Sequence, residues 1–345
     1  MIMAIEITGT GRAVPARRVT NEELSKKVDT SDEWIRSHTG IGARHIAGNE
    51  TAASDLALEA AQKTLAMVAG TDTTTEAIAE VALSLDLIIL ATATPDYIGA
   101  PSTACIVQEK LGAKRAGAMD IAAGCTGFIY CLETAAGLLS VSKERKRALV
   151  IGAEVLSKFT DWSDRGSCVL LGDGAGAVIL EKTEAPREGP AKRGLLGTTL
   201  GADGSGAEHL VFRRGGSRNP FKAGETIAKP AHLEMNGQAV YNFAVKTITK
   251  TIEETLLMEE LTVDDVAWIV PHQANARIIQ AAAKRLKIPE EKFFLNIEEY
   301  ANTSAASIPI ALDELNRGGM LKYGDLILTI GFGGGLTYGA NLIVW

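Results

Sequence analysis

Apolar residues recur at helical spacing in LALEAAQKTLAMV, IVQEKLGA and TGFIYCLETAAGLLS, and each stretch precedes a short apolar run: LDLIILATA, AGAMDIAAG and ALVIGAE. A 3.6-residue period alternating with short β-branched runs predicts an α/β fold. The same order then returns. YNFAVKTITKTIEETL precedes VAWIVPHQA, ARIIQAAAKRLKI precedes KFFLNIEEYANTS, and IPIALDELNRGG precedes LILTIGFGGG. The chain therefore reads as a duplication, with one half over 1–181 and the other over 182–345. An offset of about 177 to 180 residues aligns the halves and sets Cys125 against Asn302, at related strand-to-helix junctions. Such junctions are where α/β folds usually collect their chemistry. Residues 182–230 are rich in Gly, Pro and charge, which predicts a crossover with loops, and RGLLGTTLG within them predicts a strand opening the second half.

Composition narrows the function classes. Of 345 residues 46% are hydrophobic, enough for a sizeable core, and the formal charge of −7 disfavours a general affinity for nucleic acid or an anionic membrane. No apolar stretch approaches about 18 residues, and the opening MIMAIEITGT lacks a basic region followed by an apolar core, so a soluble cytoplasmic enzyme is expected. Cys105, Cys125, Cys131 and Cys168 form no CxxC pair and no disulfide framework. Four free thiols and no metal site are expected.

Three residues and one glycine run carry candidate chemistry. Cys125, in DIAAGCTGFIYCL, stands where a strand ends in small residues and an apolar helix begins. A helix N-terminus favours the thiolate, the nucleophilic form of cysteine. A lone cysteine is more often a buried structural residue, and Cys105, Cys131 and Cys168 are read that way. His272, in IVPHQANARII, follows a strand and precedes an amphipathic helix, whereas His38, His45, His209 and His232 lack that placement and read as packing or surface residues. Asn302, in EEYANTSAAS, alone would be a turn or helix cap. The run GFGGGLTYG lacks the Lys-Ser/Thr of a P-loop and leads into another apolar run, so its glycines suit bare N–H groups aimed at an oxyanion better than a phosphate cradle. GDGAGAVIL reads as close backbone packing before a strand.

Taken in order, AGCTGF, PHQANARII, ANTSAAS and GFGGGLTYG resemble the β-ketoacyl-acyl-carrier-protein synthase III family. The resemblance runs from TGTGRAVP and DTSDEWIRSHTGI to the last strand. It implies a five-layered αβαβα thiolase-like fold, a homodimer, and acyl-CoA and malonyl-acyl carrier protein as substrates, with no cofactor beyond the CoA thioester. It also implies that Cys125 is the acylated nucleophile, that His272 and Asn302 hydrogen-bond the malonyl thioester carbonyl, and that the amides of Cys125 and Gly334 form the oxyanion hole. For CoA it implies Trp34 and Arg165 around the adenine, with Thr30 and Gln238 nearby. The pattern departs at His38 and Gly42, where basic residues are common, and at Gln238, where an asparagine is. Ala100 and Phe332 fall at the acyl pocket, with Ala100 in the place of a bulky gating Phe, so a primer larger than acetyl is expected. Arg277, Lys284 and Arg285 fall along one helical face, expected to dock the carrier protein. The alternatives are a related condensing enzyme of secondary metabolism and a non-catalytic acyl-CoA or carrier-protein binder.

Overall fold

The first half of the chain supplies strands β1 (Met3–Ala13), β2 (Arg18–Thr20), β3 (Ala43–His45), β4 (Leu87–Ala91), β5 (Gly117–Ile121), β6 (Arg147–Val155) and β7 (Asp173–Glu184). Its helices are α1 (Asn21–Leu24), α2 (Asp32–Thr39), α3 (Ala53–Ala69), α4 (Thr75–Leu83), α5 (Thr103–Lys110), α6 (Gly127–Ser140) and α7 (Arg165–Cys168). The second half supplies β8 (Gly194–Ala202), β9 (Leu210–Phe212), β10 (Leu233–Met235), β11 (Trp268–Pro271), β12 (Leu326–Gly333) and β13 (Thr337–Val344). With them come α8 (Gly237–Met258), α9 (Ala276–Leu286), α10 (Ile297–Tyr300) and α11 (Ser307–Arg317). This computed structural model describes residues 3–184, 193–225 and 231–345. Parts of the expected crossover lie outside those residues, and the described remainder holds β8 and β9 as well as loops.

Strand order carries the duplication. The large sheet runs β11-β12-β13-β8-β1-β7-β6-β4-β5. In the first half β4 lies parallel to β5 and β6, and β7 is antiparallel to both β6 and β1. In the second half β11 lies parallel to β12, and β13 is antiparallel to both β12 and β8. The halves meet through one register pair, Ile5 with Gly194. There a side chain on Gly194, whose φ is +74°, would place its Cβ 2.0 Å from the Ile5 carbonyl oxygen. We propose the division between the two units after Glu184, since a cut at 181 would fall inside β7.

The layers follow from alternation. Along β4, Leu87, Ile89 and Ala91 join a core with α6 and α11, while Ile88 and Leu90 join another with α3 and α5. In β12, Ile327 joins the α6/α11 core, whereas Leu326, Leu328 and Ile330 pack toward α8 and α9. A strand apolar on both faces needs cover on both. The result is helices, sheet, the α6/α11 pair, sheet, helices: the five-layered αβαβα arrangement. Among the described residues no helix is long and apolar enough to cross a membrane.

The run KFFLNIEEYANTS departs from the expected strand. It makes only isolated parallel bridges, Phe293 to Ile269 before α10 and Asn302 to Leu171 after it. The side-chain oxygen of Gln273 accepts from the amides of Asn296 (3.1 Å) and Ile297 (3.2 Å), which takes those donors from any strand partner.

Candidate active site

Cys125 sits in a 3-10 turn, Gly124–Thr126, between the end of β5 and the start of α6. Gly124 has φ +53°, and a Cβ there would lie 2.9 Å from the amide nitrogen of Gly334. Likewise a Cβ on Gly333 would fall 2.6 Å from the Cys125 nitrogen. Bare glycines thus let the β12–β13 turn lie against the backbone of Cys125. Desolvation pushes the Cys125 thiol up to about 11, Ser304 acting against it through a hydrogen bond and buried Glu154 acting with it. At rest, then, burial outweighs the helix end and the thiol is neutral. All four cysteines are free.

His272 follows β11, and its amide donates to the Ile330 carbonyl at 2.7 Å. Its ring is almost fully buried, stands edge-on to Phe332 at 5.5 Å, and brings Nδ1 to 2.7 Å from the Ser307 hydroxyl. Burial lowers its pKa to about 3, which keeps the imidazole neutral over the whole neutral range. Asn302 is held by its backbone, which donates to Leu170 (2.9 Å) and accepts from Gly172 (3.0 Å). Its Oδ1 accepts from the Ser304 amide at 2.8 Å, and that donor fixes the amide orientation.

These residues line one cavity of about 630 Å³. Cys125, His272, Asn302, Ser304, Gly333 and Gly334 all contribute to its lining. Leu210, Phe212, Leu233 and Met235, from the short β9–β10 ribbon, supply an apolar wall that the sequence reading missed. Phe332, Trp34 and His38 also line it. Trp34 is already flanked: the Arg165 guanidinium carbon lies 4.9 Å from its ring, and His38 stacks on it at 4.4 Å. A base entering between Trp34 and Arg165 must therefore move the arginine, which also donates to the Asp29 carbonyl at 3.1 Å. The Thr30 hydroxyl is buried without a hydrogen-bond partner. Gln238 is exposed and bonded to Asn242 at 3.0 Å, one residue beyond the cavity-lining Gly237. Gly42 has no room for a longer residue without displacing Arg36, whose guanidinium would be 2.6 Å from a Cβ there.

Ala100 does not line this cavity. It is exposed on the loop after β4, whose Thr92, Ala93 and Pro95 are the residues that reach the site. Arg277, Lys284 and Arg285 are exposed on α9, opposite its buried face of Ile278, Ile279, Ala282 and Ala283. Ala274, Asn275 and Ile278 line the cavity, so the basic face begins at its edge.

A further polar group lies behind the site. Glu154, fully buried in β6, accepts from the Ala93 amide (3.0 Å), the Thr94 hydroxyl (2.7 Å) and the Thr92 hydroxyl (3.3 Å). Burial pushes its carboxyl up to about 7 against the pull of hydrogen bonds from Thr94, Ala93, Ser304 and Ala305. Two residues before it, a Cβ on Gly152 would sit 2.2 Å from the Ala305 carbonyl oxygen, in the turn that follows Asn302.

Comparison with known proteins agrees with this arrangement. The family model for 3-oxoacyl-[acyl-carrier-protein] synthase III matches residues 119–204, and the model for its C-terminal part matches 256–345. The β-ketoacyl-[acyl-carrier-protein] synthase III of Clostridium acetobutylicum is 47% identical over 342 residues, 99% of each chain. That of Clostridium perfringens is 49% identical over 338 residues, 98% of each. The crystal structure of 3-oxoacyl-[acyl-carrier-protein] synthase III from Aquifex aeolicus superposes with a TM-score of 0.86 at 42% identity, covering 99% of this chain and 100% of that one. With a duplicated αβαβα fold, a cysteine at the foot of the middle helix, and full-length likeness at this level, the chain belongs to the β-ketoacyl-[acyl-carrier-protein] synthase III family, the condensing enzymes that initiate fatty-acid synthesis.

Proposed function

We propose that Cys125 takes an acyl group from acyl-CoA, and that His272 and Asn302 then drive its condensation with malonyl-acyl carrier protein. The observation that carries this reading is that Cys125, His272, Asn302 and Gly334 line one cavity. In the first half-reaction the thiol sulfur adds to the acyl carbonyl, whose oxyanion is met by the amides of Cys125 and Gly334. The C–S bond to CoA breaks, and CoA leaves as the thiol with the proton that Cys125 gave up. Splitting the reaction this way replaces one difficult step by two easier ones.

In the second half-reaction the malonyl carboxylate leaves as CO2, and its bonding pair moves into the thioester as an enolate. A neutral imidazole and an amide NH2 are suited to that task, because they can donate to the enolate oxygen without carrying a buried charge. The enolate carbon attacks the acyl-Cys125 carbonyl. The 3-oxoacyl-carrier protein is released, and the Cys125 thiolate takes a proton from water. No metal or redox group enters these steps. We assign Trp34, Arg165, Thr30 and Gln238 to CoA, Phe332 to the acyl pocket, and the working protein to a cytoplasmic homodimer. Ala100 belongs to the acyl pocket in this reading only by reaching the site of a second copy.

Incubation with a panel of acyl-CoAs and malonyl-carrier protein tests the reading through product masses. The expected products are 3-oxoacyl-carrier proteins two carbons longer than the primer, with primers beyond acetyl accepted. Acyl-CoA binding without a thiol-linked adduct would leave a non-catalytic binder.

The carrier protein is assigned to Arg277, Lys284 and Arg285. Charge steering acts on encounter and fades with salt. Reversal of all three to Glu is expected to raise the apparent KM for malonyl-carrier protein on the order of tenfold at low salt, with little change in Cys125 acylation. Equal loss of both activities would remove this face from the docking site.

A further inference from the structure

Ser307 opens α11, is 2% exposed, and is the one side chain recorded at Nδ1 of His272 among the described residues. Its hydroxyl has one proton and two lone pairs, and three groups surround it. The Gln273 amide, at 3.3 Å, can only donate and so uses a lone pair. The Ser304 carbonyl, at 2.9 Å, and His272 Nδ1, at 2.7 Å, compete for the proton. That carbonyl already accepts the Ser307 amide, which closes the 3-10 turn Ser304–Ala306. Nδ1 is the shorter contact, and the carbonyl keeps the Ser307 amide if the hydroxyl proton turns to the ring.

The choice matters because a neutral imidazole carries one proton. If Nδ1 holds it, the ring offers a lone pair toward the substrate. If Ser307 donates to Nδ1, the proton resides on Nε2 and the ring offers a donor. We propose that Ser307 is a positioning residue that holds His272 as the Nε2–H tautomer, ready to donate to the malonyl thioester oxygen. This rests on the role given to His272 above and adds a second group on which that role depends. The Gln273 amide fixes the direction of the Ser307 lone pair, so the chain segment after β11 sets both ends of the contact.

The test combines kinetics with 15N NMR of histidine-labelled protein, the His272 ring signals being assigned by their loss in His272→Ala. The wild-type ring is expected to carry its proton on Nε2. Ser307→Ala should shift the ring toward Nδ1–H and lower malonyl decarboxylation on the order of 10- to 100-fold, with KM and Cys125 acylation nearly unchanged. Ser307→Thr keeps a hydroxyl and should keep both the tautomer and most of the rate. A wild-type ring protonated on Nδ1, or a Ser307→Ala ring still protonated on Nε2, would overturn the proposal. If Ser307→Ala fails to fold, the wild-type signals and Ser307→Thr decide. Normal decarboxylation by His272→Ala would instead strike the role of His272 itself, and the tautomer result would still report on Ser307.

Discussion

Cys125→Ser should lower condensation on the order of 10⁴-fold or more while the thermal midpoint stays close to that of the wild type. The two side chains differ little in size, and Cys125 lies at a cavity wall rather than in a packed core, so folding has little to lose. Reactivity has much to lose. Even the thiol is held up to about 11 by burial, and becomes nucleophilic only when its proton is drawn off in the presence of substrate. A hydroxyl is a far weaker acid in the same place, and the neutral imidazole of His272 is a poor base for it, with a pKa lowered to about 3. Intact-protein mass spectrometry after acyl-CoA treatment reads the result. Substantial acylation of the serine variant, or an adduct mapped to Cys105, Cys131 or Cys168, would sink the assignment.

His272→Ala and Asn302→Ala should separate the two half-reactions. Loading of Cys125 from acyl-CoA is expected within several-fold of wild type, while malonyl decarboxylation falls by about 10² to 10³, the usual cost of one lost oxyanion donor. The asymmetry follows from placement. In the proposed roles the oxyanion of the first step faces backbone amides that neither substitution removes, whereas the enolate oxygen depends on these two side chains. Asn302→Ala also frees the Ser304 amide from its 2.8 Å acceptor, so Asn302→Asp, which keeps that acceptor and loses the NH2, is the cleaner variant. Rapid-quench acylation and labelled CO2 release measure the steps independently. Variants that decarboxylate normally but fail to load would reverse the roles.

Much of this site was legible in the chain because its parts are local. Each of Cys125, His272 and Asn302 lies beside a helix start, and the repeat marked which junctions correspond. What escaped the sequence depends on contacts between distant segments. Glu154 ends an apolar strand, where an acidic residue ordinarily meets water, and donors from distant segments, among them Thr92, Ala93 and Thr94 some 60 residues earlier, make it an interior group. Ser304 and Ser307 sat within a recognised motif, yet nothing in their spacing said which would face Cys125 and which His272. The β9–β10 ribbon has three-residue strands, too short for a period of two to register. Ala100 shows the opposite case, a residue assigned to the pocket by motif position that the backbone carries onto an exposed loop, away from the cavity of its own chain. KFFLNIEEYANTS had strand composition but lost its pairing to the side chain of Gln273.

Gly152 sets the tolerance of the reaction without owning a reactive atom. With 2.2 Å between its absent Cβ and the Ala305 oxygen, β6 acts as a gauge block against which the Asn302 turn is seated. Any side chain there thickens the gauge, and a displacement near 1 Å can cost about a hundredfold in a reaction that depends on alignment. The nucleophile, the imidazole and both backbone donors would all be present in such an enzyme, correctly spelled and out of true. Lesions of that kind are misalignments of a sound mechanism, and they answer to repacking of β6 against its neighbour rather than to repair of the chemistry.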